Sequence, residues 1–171
     1  CEQIDGIPMI RTTDLKANGI FYEDLKYVTK EFHHNQKKSQ LKNGYILIAR
    51  FGKSGLPCIF DQEFDANCLN TVIIKPSKKE YFSYYIFHTL KTPKFQSQFQ
   101  ISADGTVQDC LNTKTIAGTL IFIPSEDILQ KFNLFIKSHH SKMKQNKYHI
   151  KNLTKTRDIL LPKLMSGEIR V

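Results

Sequence analysis

Apolar residues recur at alternate steps of three and four along the carboxyl-terminal part of the chain, which is the pattern of a heptad seam on one helix. The seam positions are Leu129, Phe132, Ile136, His139, Met143, Asn146, Ile150, Leu153, Arg157 and Leu160. No proline or glycine interrupts residues 125–160, so the predicted helix runs for about 36 residues and about 54 Å. A helix of this length cannot bury its apolar stripe against one small domain, so the pattern predicts pairing with a second long helix.

Local signals mark both ends of this helix. Ser125 offers an N-cap hydroxyl, and Glu126 and Asp127 place carboxylates in the first turn, where the positive end of the helix dipole favours them. Pro162 lacks a backbone donor and disfavours helical geometry at Leu161, so we expect the helix to end or kink there.

Three of the seam positions are polar, namely His139, Asn146 and Arg157. Polar groups at such positions weaken a helix pair but select one register and one number of partners. The alternative is a helix that lies on a globular domain. Ile128 and Phe135 favour this alternative, because they widen the apolar stripe near the start of the helix.

Residues 1–124 alternate irregularly between strand-like and helix-like patterns. Short apolar runs rich in β-formers predict strands at residues 7–11, 45–51, 56–60, 71–75 and 118–124. Helical spacing predicts helices at residues 22–32, 77–91 and 94–101, and polar stretches predict loops at residues 61–70 and 102–109. This order predicts an α+β fold, with a compact mixed domain at residues 1–124 and the long helix with its tail at residues 125–171.

The chain is basic, with a formal net charge of +9 from 25 Lys and Arg against 16 Asp and Glu. Residues 125–171 hold ten basic and four acidic residues, and residues 1–124 hold 15 basic and 12 acidic residues, so both parts share the excess. A basic excess favours polyanionic partners, with nucleic acid first, although lysine-rich helix faces also arise for solubility alone.

The composition, 40% hydrophobic and 11% aromatic, is that of a folded globular protein. No apolar run approaches the roughly 18 residues that span a membrane, so the sequence predicts a cytoplasmic protein without a membrane partner. The chain begins at Cys1 without a visible signal peptide, and we expect that further sequence precedes it. Cys1, Cys58, Cys68 and Cys110 show no C-x-x-C spacing, which predicts reduced thiols rather than zinc ligands.

The motifs of several catalytic classes are absent or incomplete. Gly52-Lys53-Ser54 resembles the end of a phosphate-binding loop, but Leu47 stands where that loop requires glycine. The histidine pairs at positions 33–34 and 139–140 diverge, and the acidic residues at 61, 63 and 65 lack a lysine at nuclease spacing. Glycine fingerprints for a dinucleotide or a methyl donor are missing, as is a Gly-x-Ser-x-Gly elbow. The sequence predicts no metal site, no cofactor and no catalytic residues.

Polar loop tips with basic and amide side chains are the remaining candidates for a site. Arg suits guanine, Asn and Gln suit adenine, and Lys or Ser anchors phosphate. The predicted DNA-contacting residues are Arg11, Thr12, Lys16, Arg50, Lys53, Ser54, Lys78, Lys79, Thr106 and Gln108. The alternative is an ordinary solvated surface, in which Lys78 and Lys79 start a helix and Arg50 ends a strand.

Five segments in order resemble the specificity subunit of type I restriction-modification systems. They are Ile-Pro-Met-Ile-Arg at 7–11 with Asp14 and Leu15, Asn-Gly-Tyr-Ile-Leu-Ile-Ala at 43–49 with Gly-Lys-Ser-Gly at 52–55, Gly-Thr-Val-Gln at 105–108, Ile-Phe-Ile-Pro at 121–124, and Leu-Leu-Pro-Lys-Leu-Met-Ser-Gly-Glu-Ile at 160–169. The last segment is the most specific. The family's opening aromatic and Leu-Gly segment is absent, and Ser125-Glu126-Asp127 replaces its usual Pro-x-x-Glu-Gln run.

The resemblance implies a subunit with two target recognition domains, each reading one half of a split DNA site. Two long antiparallel helices lie between these domains as a spacer and dock the methylation subunits. One domain and one helix correspond to half of such a subunit, which implies self-pairing or pairing with a second half through the long helix. The implied partners are double-stranded DNA and the methylation and restriction subunits, and the implied function is sequence-specific DNA binding without catalysis. The alternatives are the recognition region of a single-chain methyltransferase-nuclease, and a helix-pairing module without DNA affinity.

Overall fold

The chain divides into two compact units, Cys1–Gln130 and Lys131–Val171. The computed structural model describes residues 6–51, 55–76, 81–104 and 110–169. Within these ranges the strands are β1 (Ile7–Arg11), β2 (Leu15–Lys16), β3 (Gly19–Ile20), β4 (Lys26–Val28), β5 (Gln40–Leu41), β6 (Ile46–Ala49), β7 (Pro57–Ile59), β8 (Ala66–Leu69) and β9 (Thr71–Ile74). The helices are α1 (Lys30–Asn35), α2 (Tyr81–Leu90), α3 (Pro93–Asp104), α4 (Thr113–Ala117) and α5 (Glu126–Met165). The predicted α+β fold, with a long terminal helix, is confirmed.

The first unit is built on two small sheets and a short hairpin. One sheet has the strand order β4-β1-β8-β5, and the other has the order β7-β6-β9. β1 and β8 run parallel, while the other pairs in these sheets are antiparallel. β2 and β3 form the hairpin, joined by a turn at Ala17 and Asn18. The chain passes directly from one sheet to the other at Asn70, between β8 and β9.

β6 is the strand on which two hydrophobic cores meet. Successive side chains of a strand point to opposite faces. Leu47 and Ala49 accordingly pack in one core with Phe60, whereas Ile48 packs in the other with Phe99. All four residues of β6 are at most 1% exposed. A strand covered on both faces has no polar alternation, which explains the continuous apolar run.

The β6–β7 hairpin is held closely against α3. Gly55 has a φ of +85°, and a Cβ atom at this position would lie 2.6 Å from the Cβ atom of Phe99. Its backbone N–H donates to the carbonyl oxygen of Ala49 at 2.9 Å, and its own carbonyl accepts from Nε2 of Gln96 at 3.0 Å. Glycine is required here because both the left-handed backbone and the close approach exclude a side chain.

Several local predictions are confirmed. The runs at 7–11, 45–51, 56–60 and 71–75 contain β1, β6, β7 and β9, and β6 and β7 form the predicted hairpin. The helices predicted at 77–91 and 94–101 correspond to α2 and α3, of which α2 is described from Tyr81 onward. α3 continues to Asp104, so the loop predicted at 102–109 is wrong for residues 102–104, and residues 105–109 lie outside the described residues.

The loop predicted at residues 61–70 is wrong for its second half. β8 lies inside the four-stranded sheet, paired with β1 on one side and β5 on the other. Its polar residue Asn67 is fully buried, and its side chain bonds with His33 and Ser39. A polar side chain is accommodated in a sheet interior when all its hydrogen bonds are met by distant residues, and local composition does not reveal such partners.

The short helix predicted at residues 22–32 is also wrong. This region contains β4, which pairs with β1, followed by α1. The side chain of Thr29 accepts a hydrogen bond from the backbone N–H of Phe32, and this N-cap starts the helix at Lys30. Tertiary pairing with β1 therefore overrides the helical spacing that the apolar residues showed.

The strand predicted at residues 118–124 does not form. The described segment after α4 is irregular up to the start of α5, and Leu120 and Phe122 are 92% and 81% exposed. The segment is held instead by single contacts, such as the bond that the Tyr85 hydroxyl donates to the Phe122 carbonyl at 2.6 Å. An apolar run becomes a strand only where an edge strand is available to pair with it.

The sequence predicted that α5 would end or kink at Pro162, and the helix does not end there but continues to Met165. Proline removes one backbone donor, and near a helix terminus the loss is small because the remaining bonds of the last turn still form. The N–H of Ser166 donates to the Pro162 carbonyl at 2.9 Å, and the N–H of Ile169 donates to the Lys163 carbonyl at 3.2 Å. In the described ranges, no helix is both long enough and apolar enough to cross a membrane.

Candidate nucleic-acid interface

An open pocket of about 620 Å³ lies in the first unit, where the carboxyl ends of three strands meet. The end of β1 and the turn after it form one side, the end of β6 forms the second, and the end of β8 forms the third. The described residues that line the pocket are Arg11, Thr12, Thr13, Leu15, Lys16, Ala49, Phe51, Leu69 and Asn70.

The registers of the two sheets explain why these segments meet. Arg11 pairs with Leu69 in the parallel β1–β8 ladder, so the following residues, Thr12 and Asn70, leave the sheet side by side. Ala49 pairs with Thr71 in the antiparallel β6–β9 ladder. Arg50 follows Ala49 and Asn70 precedes Thr71, so both lie one residue beyond the last pair. Asn70 is therefore the corner that the two sheets share.

Arg11 uses its guanidinium and its backbone N–H in hydrogen bonds that hold the turn after β1. Its Nε donates to Oδ2 of Asp14 at 3.0 Å, its Nη2 donates to Oδ1 of Asp14 at 2.8 Å, and its backbone N–H donates to Oδ2 at 2.8 Å. Nη2 also reaches the carbonyl of Asp24 at 3.1 Å. The hydrogen bond from Asp14 raises the pKa of the guanidinium above its usual value. Because its planar donor face is occupied, Arg11 shapes the site more than it offers donors to a base.

Lys16 and Arg50 supply positive charge at this corner. Lys16 lies on β2 with an exposed side chain at the pocket wall. Arg50 lies between two pocket residues, Ala49 and Phe51. Its guanidinium lies 5.6 Å from the centroid of the Phe51 ring, and its Nη2 is 3.6 Å from Sγ of Cys110. The exposed Lys16 is in a position to contact a phosphate oxygen of a polyanion at the pocket, and the half-buried Arg50 is adjacent in sequence to two lining residues.

The structure brings together the described members of the predicted DNA-contacting set. Arg11, Thr12 and Lys16 line the pocket, and Arg50 adjoins it. The other predicted residues lie outside the described residues, namely Lys53, Ser54, Lys78, Lys79, Thr106 and Gln108.

Asn70 is a pocket residue that the sequence analysis missed. It has a φ of 58°, the left-handed conformation that Asn adopts more readily than other residues with a side chain. The signal was the single Asn directly before Thr-Val-Ile-Ile, a run of four residues rich in β-formers. Read as a one-residue turn before that strand, it would have predicted the corner.

The predicted helix-pairing residues fall into three groups by burial. Leu129 belongs to the first unit and is 1% exposed, so its side chain is already covered within the chain. Phe132 and Ile136 are half-buried. The remaining predicted positions have exposed side chains, namely His139, Met143, Asn146, Ile150, Leu153 and Leu160. Large apolar groups along this stretch, such as Leu153 at 69% exposure, have little cover within the described chain.

Cysteine and histidine side chains form no metal centre in the ranges that the structure describes, where no cluster of three potential ligands occurs. Cys58, Cys68 and Cys110 are free thiols. Burial raises the pKa of the Cys68 thiol above its ordinary value.

No family model matches the chain. Three curated relatives are type I restriction enzyme specificity subunits. The HindI subunit of Haemophilus influenzae is 25% identical over 96% of this chain and 36% of its own length, and the MjaIX subunit of Methanocaldococcus jannaschii is 36% identical over 96% of this chain and 38% of its own length. The EcoBI subunit of Escherichia coli is 25% identical over 71% of this chain and 26% of its own length. The chain thus spans between about a quarter and two fifths of the length of these relatives.

The fold is also similar to that of a solved structure. A chain from a study of complex assembly and conformational transition of the type I R-M system superposes with a TM-score of 0.50 at 11% identity, covering 94% of this chain and 38% of that one. This likeness supports the same fold, and the sequence matches supply the relationship. The chain is a relative of the specificity subunits of type I restriction enzymes and corresponds to one segment of them.

Proposed function

We propose that this chain is a DNA-binding segment of a type I specificity subunit, which reads one half of a two-part duplex site and catalyses no reaction. The observation that carries the proposal is the corner at Asn70. There, residues predicted from sequence to contact DNA are assembled from separate strands around one open pocket. The three specificity-subunit relatives agree with this assignment.

Electrostatics support a duplex as the partner. The net charge of +9 attracts a polyanion, and Lys16 and Arg50 place two cations at the pocket. Contacts of this kind fix a protein on the phosphate backbone, while groups within the pocket face the base edges. The domain would enter the major groove with the loop after β1 and the loop after β6 leading.

α5 would act as a spacer and assembly element. Its exposed apolar positions, among them Met143, Ile150 and Leu153, recur at heptad spacing and need a second helix. The second helix would come from another copy of this chain or from a second half of a longer subunit. Pairing of two copies about a two-fold axis predicts an interrupted palindromic target. The same helix region would dock the methylation subunit, and through it the restriction subunit, in the cytoplasm.

Selection from a random duplex pool tests the proposal directly. The full chain is immobilised, bound DNA is recovered over several rounds at fixed salt, and the recovered duplexes are sequenced. The expected result is enrichment of a short half-site motif, alone or repeated at a fixed interval. Recovery of no motif, together with no shift of mixed duplexes on a gel, would leave a helix-pairing module without DNA affinity as the better assignment.

The sequence upstream of this chain distinguishes a specificity subunit from the recognition region of a single-chain methyltransferase-nuclease. If the chain is the recognition region of a single-chain methyltransferase-nuclease, upstream sequence will contain a methyl-donor site, and the intact protein will methylate DNA unaided. A specificity subunit will show neither property. Methylation by the intact protein would therefore overturn the assembly with separate methylation subunits while leaving DNA reading in place.

A further inference from the structure

We infer that Asn70 is a specificity-determining residue, whose side-chain amide reads an adenine in the half-site. The inference rests on the proposed DNA-binding function and assigns one base contact within it. It follows from three features of this residue: a fixed backbone, an available side chain, and a place in a pocket that Lys16 also lines.

The backbone of Asn70 is fixed from two directions. The residue joins β8 to β9, so the strand pairings on both sides restrain it. In addition, the hydroxyl of Thr12 donates to the Asn70 carbonyl at 2.5 Å, across 58 positions of sequence. A short polar side chain held on a backbone that is restrained by two sheets loses little conformational freedom when it binds.

The side-chain amide of Asn70 is available to a ligand. The residue is exposed and lines the pocket. Within the described part of the chain, its carbonyl accepts the Thr12 bond, and its side chain makes no hydrogen bond. Among the described pocket residues it carries the one side-chain amide. Arg11, the pocket residue that would suit guanine, is occupied by Asp14.

The amide matches the edge of adenine in the major groove. An Asn side chain accepts from N6 and donates to N7 of adenine in one plane, a pattern that no other base offers. Lys16, which lines the same pocket, would hold a flanking phosphate and set the depth of the approach. Leu69, 49% exposed beside Asn70, adds an apolar surface of the kind that contacts a thymine methyl group.

Two substitutions separate the role of the amide from that of the backbone. Asn70→Gly keeps the left-handed conformation, which glycine adopts freely, and removes the amide. Asn70→Asp keeps the size and tolerates the same conformation, but its side chain only accepts hydrogen bonds and therefore suits cytosine N4. Thr12→Val is a positioning control, which keeps the shape of residue 12 and removes the bond to the Asn70 carbonyl.

The experiment is duplex selection with the full-length wild type and each variant at one salt concentration, with thermal melting to verify that each variant is folded. The wild type is expected to select adenine at a defined position. Asn70→Gly should lose this preference by about 5- to 150-fold with the other positions unchanged, and Asn70→Asp should shift it toward cytosine. Thr12→Val should weaken the same preference without changing the preferred base.

The outcomes are distinguishable. If the wild type selects a motif and folded Asn70→Gly and Asn70→Asp proteins select the same motif with the same preferences, Asn70 reads no base, although DNA binding stands. A uniform loss of affinity at all positions in Asn70→Gly would assign the residue to backbone positioning and overturn base reading. If the wild type selects no motif, the proposed function and this inference fail together.

Discussion

His33 and Asn67 are joined by a hydrogen bond of 2.6 Å between Nδ1 and Oδ1, although 34 positions separate them in the sequence. The amide nitrogen of Asn67 donates in turn to Oγ of Ser39 at 2.7 Å. Asn67 is fully buried in β8, and α1 with the turn after it supplies its partners. The bond therefore fastens the α1 segment to the sheet whose end forms the pocket.

Asn67→Leu is expected to lower the free energy of unfolding by about 2 to 3 kcal/mol. The substitution keeps the number and branching of the side-chain heavy atoms, but His33 and Ser39 lose the amide that satisfies their polar groups. Leu69→Ala is the matched control in the same strand, and it should cost about 1 kcal/mol or less because that side chain is half exposed. Urea unfolding followed by circular dichroism measures both values. Equal costs for the two variants would show that the network contributes nothing beyond side-chain burial.

Asp14→Ala is expected to destabilise the first unit by about 1 to 2 kcal/mol. Asp14 is 5% exposed and accepts both a backbone and two side-chain bonds from Arg11, while the partial exposure of Arg11 limits the loss. Asp24→Ala is the control, because Arg11 contacts the backbone carbonyl of Asp24 and keeps that bond. A melting temperature shift as large in Asp24→Ala as in Asp14→Ala would contradict the assigned role of the carboxylate.

Cys68 is expected to react with a thiol-alkylating reagent much more slowly than Cys110 in the folded protein. Desolvation raises the pKa of Cys68, so its reactive thiolate is scarce at a given pH, and the side chain is buried. Cys110 is half-buried and lies beside Arg50. Bound duplex should protect Cys110 if Arg50 contacts phosphate. Peptide mass mapping over time measures both rates, and identical rates in folded protein would contradict the described burial.

Lys16→Ala and Arg50→Ala are each expected to reduce the slope of log affinity against log salt by about 1, with a loss of affinity that is similar for all sequences. Lys16 lines the pocket, and Arg50 lies in sequence between the lining residues Ala49 and Phe51. Lys42→Ala removes an exposed cation that does not line this pocket, and the slope should stay within error. Fluorescence titrations at four salt concentrations give the slopes. Should Lys42→Ala change the slope as much as Lys16→Ala, the contact surface would have to be placed elsewhere.

Ile150→Asp is expected to separate paired chains and to halve the mass in solution while the first unit remains folded. Ile150 is 63% exposed on the seam, and a carboxylate there would be buried in the helix pair. Asn152→Asp adds the same charge two residues away, off the seam, and should leave the mass unchanged. Sedimentation equilibrium measures the masses. A single-chain mass for the wild type would show that the helix pairs with another partner.

The local spacing of apolar residues was sufficient to predict those helices and strands whose stabilising contacts repeat along the chain. The heptad pattern from Leu129 to Leu160 specified a long helix, because each turn repeats the same short-range bonds. The apolar run around Ile48 specified a strand buried on both faces. Arg11, Lys16 and Arg50 were predicted as DNA contacts from the chemistry of polar loop tips rather than from spacing.

Pairing between residues far apart in sequence decided the other elements and the pocket. β8 became a strand because β1 and the partners of Asn67 cover its polar group, and residues 118–124 stayed irregular because no strand edge pairs with them in the described chain. The pocket exists because two strand registers converge on Asn70 from residues about 20 and 60 positions away. Hydrogen-bond partners at such distances leave no trace in nearby residues, so the fold had to bring Thr12, Arg50 and Asn70 together before they could be read as one surface.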